Sequence, residues 1–253
     1  SLSVNGGNEK TQFSVTGSYL GQEGIIKGSD YNRYALSTKI NHKISNKFQI
    51  NFSYNASRLA TEWKDSEGRS RGNSMIGAAI SAAPISTPYR EDGTYSILSQ
   101  DYPFVAVDIR NPLNYINEQF NTIKANVLLT NASLLFNPIP ELTVKISGGI
   151  ENRDDRTDNY TTRKFLNSEG RASVSTSQFT SLLSENTISY LKTLNEKHQI
   201  SAVAGFTYQD FLTTSLSGSG TGFLSDAFET YNLEAAATPG IANSGYAKSV
   251  LLS

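Results

Sequence analysis

The chain has 253 residues, a formal net charge of −1 at pH 7 and no cysteine. These values exclude disulfides, cysteine metal sites and thiol catalysis. Acidic and basic residues are intermixed, so the charge does not predict a nucleic-acid partner. The longest weakly polar stretch, residues 75–85, is shorter than the roughly 20 apolar residues of a membrane-spanning helix. The fold class must therefore come from the pattern of residues along the chain.

The first predicted strand, residues 10–20, alternates apolar and polar side chains with a period of two. Its apolar face carries Phe13, Val15 and Tyr19, and its other face carries hydroxyl and amide groups. Later segments repeat this pattern, which predicts a β-sheet with one apolar, lipid-facing side and one polar side. The candidate lipid-facing residues of these segments are Tyr34, Leu36, Ile40, Ile50, Phe52, Tyr54, Val144, Ile146, Ile150, Ile200, Phe206 and Tyr208.

Two segments fit the alternation poorly. Residues 122–136 carry large apolar side chains on both parities, which predicts a β-bulge or burial of both faces. Residues 181–192 also carry leucines on both faces, and their position in the series is the main reason to expect a strand there.

The connections between predicted strands alternate between tight and long. The tight ones are residues 6–9, 44–47, 137–141 and 193–197, and the long ones are 21–32, 59–121, 152–176 and 210–247. Short periplasmic turns and long extracellular loops are typical of an outer-membrane β-barrel, whose strands need about 9 to 11 residues. A soluble β-sandwich, acting as a surface binding or adhesion module, also alternates apolar and polar residues and remains the alternative.

The longest predicted loop, residues 59–121, is the first place to look for function, because such long loops are usually functional or disordered. Residues 73–83 could form a short helix that Pro84 ends. Five aromatic residues could contact a sugar or a partner protein, or could fold the loop against itself: Trp63, Tyr89, Tyr95, Tyr102 and Phe104.

No pattern in the chain predicts catalysis, a cofactor or a metal. His42 and His198 lie near tight turns without a carboxylate or second histidine at metal-ligand spacing. Asp154, Asp155 and Asp158 are interleaved with arginines and are expected to form a solvated loop. The glycines at 218, 220 and 222 are expected to form a flexible loop tip. We therefore interpret the chain as non-enzymatic. The lack of a predicted catalytic set also counts against the alternative of an outer-membrane enzyme on a small barrel.

Both ends of the chain look like parts of strands, since Leu2 and Val4 alternate at the start and Val250 and Leu251 lie in the last run. This gives about eight or nine strands with two unpaired edges. An open edge cannot face hydrocarbon, because its backbone groups would lack hydrogen bonds. We therefore expect the whole of residues 1–253 to be part of one larger barrel domain.

Four passages resemble the barrel of SusC/RagA-type TonB-linked outer-membrane proteins of Bacteroidetes, in the same order. They are GGNEKTQFSVTGSYLGQEGIIKGSDYNRYALSTKINHKISNKFQINFSYNASR from Gly6, NPLNYI from Asn111, SENTISYLKTLNEKHQISAVAGFTYQ from Ser184 and ETYNLEAAATPGIANSGYAKSVLLS from Glu229. Together they cover most of the chain, although the loops at 59–108 and 154–177 carry little resemblance.

The resemblance implies a barrel of 22 strands, of which this chain would be a middle section. It also implies an N-terminal plug, a TonB contact segment and a SusD-like surface lipoprotein that acts as a lid. The plug and the TonB box are not among these residues. The implied activity is energised import of a bulky nutrient, an oligosaccharide or a peptide, across the outer membrane of a Gram-negative bacterium.

Overall fold

The computed structural model of this protein describes residues 1–64, 74–194 and 198–253. Within these ranges the chain is almost entirely antiparallel β-structure. The strands are β1 (Leu2–Gly7), β2 (Thr11–Glu23), β3 (Asp30–Lys43), β4 (Phe48–Trp63), β5 (Gln119–Ile139), β6 (Leu142–Thr161), β7 (Arg171–Leu194), β8 (His198–Thr221) and β9 (Thr238–Leu252).

Within the described residues, three short helices and two 3₁₀ turns lie in the connections between strands. The helices α1 (Met75–Ser81), α2 (Leu98–Asp101) and α3 (Pro112–Glu118) all lie between β4 and β5, and the 3₁₀ turns Glu229–Tyr231 and Leu233–Ala235 lie between β8 and β9. The predicted helix at 73–83 is confirmed over α1, while residue 73 lies outside the described residues. None of the helices in the described ranges is long and apolar enough to cross a membrane.

The nine strands form one sheet in sequential order, and each strand is antiparallel to its neighbours. A sandwich would divide such strands between two facing sheets. The alternative of a soluble sandwich is therefore wrong, and the predicted antiparallel barrel segment is confirmed. The sheet is open in the described chain, because β1 and β9 are its two edges.

The connections alternate between short and long as expected, but the predicted long ones are too long at their ends. β2 and β3 are joined through residues 24–29, β4 and β5 through 64–118, β6 and β7 through 162–170, and β8 and β9 through 222–237. The strands at this end continue beyond the apolar alternation, since backbone hydrogen bonds pair Ser, Thr, Asn and Asp residues as readily as apolar ones. Hydrophobic periodicity alone could not detect these extensions.

Several expected loop residues therefore lie in strands. Asp154, Asp155 and Asp158 are part of β6, and Gly218 and Gly220 are part of β8. The solvated-loop and loop-tip interpretations of these residues are wrong. The β-bulge predicted within residues 122–136 is absent, because the pairing of β5 with β6 is continuous there; a register shift lies just beyond the segment, between Phe136 and Ile139. Of the predicted turn at 193–197, residues 195–197 lie outside the described residues.

The register places the predicted apolar residues on one face of the sheet. Phe13 lies opposite Ile40, and Ile40 lies opposite Phe52, so the three share a row and a face. The row continues through Ala132, Gly148 and Ser184 to Tyr208 on β8. Polar rows lie between the apolar ones, such as Gln12, Asn41, Asn51, Ser133, Ser147, Glu185 and Thr207.

The apolar residues form a belt that runs obliquely across these rows. On β2 its last large side chain is Tyr19, six residues beyond Phe13, whereas on β8 the continuous run of large side chains ends at Tyr208, in the same row as Phe13. Asp210 follows Tyr208 on this face, and Leu212 and Leu216 lie farther along it. On β6 the run ends at Ile150, in the row of Val15. Between β2 and β8 the edge of the continuous run thus descends by an average of about one residue for each strand crossed, with individual strands departing from that average.

This slope measures a strand tilt. Six residues at about 3.3 Å span about 20 Å along a strand, and six interstrand steps at about 4.8 Å span about 29 Å across the sheet. If the belt edge is horizontal, the strands are inclined by about 35° to its normal, within the range of membrane β-barrels.

Candidate ligand-binding cavity at the long-loop end

The residues between β4 and β5 fold into a compact structure around α3. Asn111 caps this helix, because its side-chain oxygen accepts a hydrogen bond from the amide of Leu113 at 3.1 Å, and Pro112 occupies the first helical turn. The Asn111 amide also donates to the carbonyl of Pro88 at 2.6 Å. The first residues of the NPLNYI passage therefore start the helix and hold an earlier part of the loop against it.

The next residues of the passage attach α3 to the connection at 162–170. Asn114 is buried; its amide donates to the carbonyl of Lys164 at 3.1 Å, and its oxygen accepts from the amide of Leu166 at 2.8 Å. Tyr115 packs edge-on against Phe165, with ring centroids 5.2 Å apart. Met75 and Ala78 of α1 complete this small core. Two separate connections are thereby joined into one unit.

A small hairpin forms the opposite side of this unit. Tyr89 and Tyr95 pair as an isolated antiparallel bridge, with ring centroids 5.3 Å apart. The turn between them needs glycine at position 93, where φ is 81°. Arg90 makes two hydrogen bonds of 2.9 Å to the carboxylate of Asp101, which tie the hairpin to α2. This pairing lowers the pKa of Asp101 below its usual value.

A cavity of about 610 Å³ lies between the hairpin, α3 and the 162–170 connection. That volume suits a small organic ligand or a few residues of a polymer. Backbone and side chains from all three parts form its wall. The side chains that bear on its chemistry are Tyr89, Asp92, Tyr95, Arg110, Glu118 and Lys164.

The hydrogen bonds of Glu118 fix one side of the cavity. The Tyr95 hydroxyl donates to Glu118 Oε1 at 2.7 Å, and the Thr162 hydroxyl donates to Oε2. Glu118 is itself buried. Burial raises the pKa of Tyr95 well above its ordinary value, and the hydrogen bond to Glu118 raises it further, so this phenol remains a donor.

The five predicted aromatic residues are only partly brought together. Tyr89 and Tyr95 line the cavity. Tyr102 packs beside Phe104, with ring centroids 5.7 Å apart, and bonds to Thr87, so it mainly folds the loop against itself. Phe104 is exposed. Trp63 is the last residue of β4, so its placement in the loop is wrong.

Sequence reasoning missed the polar residues of the cavity wall, namely Arg110, Glu118 and Lys164. The NPLNYI passage was the available signal, since it precedes Glu118 and carries the cap and both attachments of α3. Lys164 offered none, because it belongs to a different connection and only the tertiary fold brings it near. Within the described residues, no three His, Cys, Asp or Glu side chains are arranged to hold a metal.

The apolar face below this cavity is largely uncovered. Ten of the fifteen candidate lipid-facing side chains are exposed, and the other five, Val15, Phe52, Tyr54, Val144 and Tyr208, are half-buried. Aromatic pairs lie near both edges of the belt: Tyr19 and Tyr34 have ring centroids 5.0 Å apart at the long-loop edge, and Phe48 and Phe136 have theirs 4.5 Å apart at the short-turn edge.

Comparison with known proteins supports the resemblance seen in the sequence. No family model matches the chain. Three TonB-dependent receptors of Formosa agariphila do: P3 is 24% identical over 242 residues, P26 is 24% identical over 237 and P39 is 26% identical over 238. These alignments cover 93%, 92% and 91% of this chain but only 24%, 23% and 21% of the relatives. The chain thus spans about a quarter of the length of the relatives.

Solved structures confirm the fold. The RagAB peptide importer in its open-open state matches with a TM-score of 0.80 and in its closed-closed state with 0.78, at 18% identity in both. Each match covers 99% of this chain and 28% of the other. The nine-stranded sheet is therefore a section of the same barrel fold, and the predicted resemblance is confirmed.

Proposed function

We propose that this chain, a middle section of the barrel of a SusC/RagA-type TonB-linked outer-membrane protein, forms part of the wall and rim of a transporter that imports a bulky nutrient. The nutrient is an oligosaccharide or a peptide. The relatives are TonB-dependent receptors, which are not enzymes, and the proposed role of this chain is accordingly structural and binding. The proposed location is the outer membrane of a Gram-negative bacterium.

The oblique apolar belt is the observation that carries this proposal. A soluble protein has no reason to keep one uncovered face largely apolar from β2 to β8, with a boundary that lies several residues lower on β8 than on β2. In a barrel, inclined strands must produce this pattern, since the bilayer surface is flat and the rows are not parallel to it. The expected lipid contacts of the candidate residues, including Phe13, Ile146 and Phe206, follow from the same geometry.

The polar face of the sheet would line the interior of the barrel. It carries charged side chains at depths where the opposite face is apolar, such as Lys39, Lys145 and Glu185. Charges at that depth need water or a protein partner. A hydrated interior filled in part by a plug would supply both, and the plug and the TonB contact belong to regions outside this chain.

The unit formed by α1, α3, the Tyr89–Tyr95 hairpin and the 162–170 connection lies at the proposed extracellular rim. We propose that its exposed aromatic residues, among them Tyr89 and Phe104, contact the substrate or a SusD-like surface lipoprotein. Tyr89 is 41% exposed and Phe104 is 60% exposed, so both rings are accessible in the described chain. The RagAB peptide transporter, whose name indicates two components, supports a partner protein for this chain.

Two measurements test this function in the full-length receptor. The first is uptake by cells that carry a deletion of residues 66–101, which removes α1, the hairpin and α2 but leaves the described wall strands intact. We expect normal membrane insertion with weak lipoprotein binding and little uptake. Ile25→Ser, at a fully exposed position in another connection of the same rim, is the control. Recovery of a tight lipoprotein complex after the deletion would contradict the role of this loop.

The second measurement is extraction. The receptor should require detergent and should retain heat-resistant β-structure in gels. Release into buffer without detergent would contradict the barrel wall itself.

A further inference from the structure

The wall of the cavity at the long-loop end includes two cationic residues that form no ion pair in the described ranges. Arg110 and Lys164 both lie on its wall, and neither makes an ion pair with any side chain of the described ranges. Lys164 is exposed and Arg110 is half-buried. Two cationic residues thus contribute to the wall of the same cavity.

The acidic side chains of the cavity do not neutralise these cations by direct contact. Both oxygens of Glu118 are already bonded, to the hydroxyls of Tyr95 and Thr162. Asp92 accepts at Oδ1 from the amide and the hydroxyl of Thr94 at 2.9 and 2.6 Å, and these bonds lower its pKa. Neither carboxylate forms an ion pair with Arg110 or Lys164 in the described ranges, so both cations remain available as donors.

Arg110 lies near the buried core of this unit. Burial raises the pKa of Tyr115 and the charge of Arg110 opposes that shift, so the guanidinium lies close to a phenol that packs in the core against Phe165. The ring of Tyr89 adds an apolar surface, and its hydroxyl is positioned by Asn117 at 3.2 Å.

We propose that this cavity binds a carboxylate-bearing ligand, with Arg110 and Lys164 holding the carboxylate and Tyr89 packing against the adjoining part of the ligand. Arg and Lys are the side chains that bind carboxylates in proteins, and Arg does so in a two-point geometry. The inference rests on the proposed function, because it specifies the chemistry of a ligand at the rim of that transporter. The carboxylate could belong to a uronic acid or to a peptide C-terminus.

Binding to the purified full-length receptor in detergent separates these two sources. The probes are a galacturonate trimer with its methyl ester, and a tetra-alanine peptide with its C-terminal amide. We expect at least one free acid to bind about tenfold or more tightly than its neutral partner, as loss of one charge-assisted hydrogen bond predicts. Preference in the sugar pair identifies a uronate ligand, and preference in the peptide pair identifies a peptide carboxylate.

The variants Arg110→Gln and Lys164→Gln, alone and together, assign the preference to this cavity. We expect the double variant to bind acid and neutral probe alike, while Lys27→Gln, which changes an exposed cation on a neighbouring connection, keeps the preference. Unchanged affinity for the neutral probe would show that the double variant is folded. If the wild-type receptor binds neither acid more tightly than its neutral partner, or if the preference survives in the double variant, the proposal is wrong.

Failure of the carboxylate-binding proposal can be distinguished from failure of the proposed barrel function. Detergent extraction and lipid contact test the barrel even when no probe binds, and probe binding can be measured whether or not transport is observed.

Discussion

Residues in one hydrogen-bonded row should lie at different depths in the bilayer. Phe13 and Tyr208 share a row but are separated by six strand steps. With strands inclined by about 35°, each step of about 4.8 Å changes the depth by about 2.7 Å. The two side chains should therefore differ in depth by about 16 Å, with Phe13 nearer the short turns and Tyr208 nearer the long loops. Phe52, two steps from Phe13, should lie about 5.5 Å above it.

Spin labels measure these depths directly. The chain has no cysteine, so Phe13→Cys, Phe52→Cys and Tyr208→Cys each introduce a single labelling site in it. The labels are placed in the full-length receptor, freed of other cysteines and reconstituted in bilayers. Accessibility to oxygen relative to a water-soluble nickel complex gives the depth of each label.

We expect the three depths to increase in the order Phe13, Phe52, Tyr208. Thr207→Cys, adjacent to Tyr208 but on the polar face, is the control and should be reached by the nickel complex. Three equal depths, or a gradient of the opposite sign, would refute the inclined wall. Equal access of the nickel complex to Thr207 and Phe13 labels would refute the assignment of the two faces.

Three further predictions follow from individual contacts. Phe206→Arg, on the exposed apolar face of β8, should destabilise the folded receptor by about 2 to 4 kcal/mol in urea titrations in lipid, whereas Thr207→Arg on the other face should cost little; equal effects would count against lipid contact at Phe206. Asn114→Ala should remove both side-chain hydrogen bonds that Asn114 makes to the 162–170 connection, weaken that attachment by about 1 to 3 kcal/mol and accelerate hydrogen exchange of the Leu166 amide. Asn117→Ala, which loses one exposed bond to Tyr89, should not do so, and unchanged exchange at Leu166 in Asn114→Ala would disprove the attachment. The raised pKa of Tyr95 means that the folded state favours the protonated phenol, so its stabilising contribution is complete below the unfolded pKa of about 10 and is lost as the pH rises through the higher folded value. The phenolate absorbance of the wild type and of Tyr95→Phe should therefore coincide through pH 10 to 11, and a difference near pH 10 would show that Tyr95 ionises normally.

The two faces of the sheet could be predicted from the sequence because every second residue of a barrel strand faces the same side and is apolar on the lipid side. Phe13, Val15 and Tyr19 fall on one face whatever the exact ends of β2, and the same holds for Ile146 and Ile150 on β6. The strand ends were not predictable in this way. Beyond the belt, both faces of β6 are polar, so Asp154 and Asp158 carry no periodic signal although their backbone remains paired.

The cavity was predictable only in part. The aromatic content of the long loop pointed to Tyr89 and Tyr95, and both line the cavity. The sequence did not predict that Arg110 and Lys164 lie on the same cavity wall, because they belong to different connections that are distant in sequence. The buried Asn114 holds these two connections together. A contact of that kind depends on tertiary packing, and no local spacing rule expresses it.

The central claim is that the face carrying Phe13, Ile150 and Phe206 touches lipid while the opposite face lines a hydrated interior. The most direct test is a cryo-electron microscopy map of the full-length receptor in lipid nanodiscs. We predict that the lipid annulus surrounds these side chains and ends near Tyr19 on β2 and Tyr208 on β8, with Lys39 and Glu185 facing the interior. A map in which protein covers the apolar face, or in which lipid meets Lys39 and Glu185, would contradict the account.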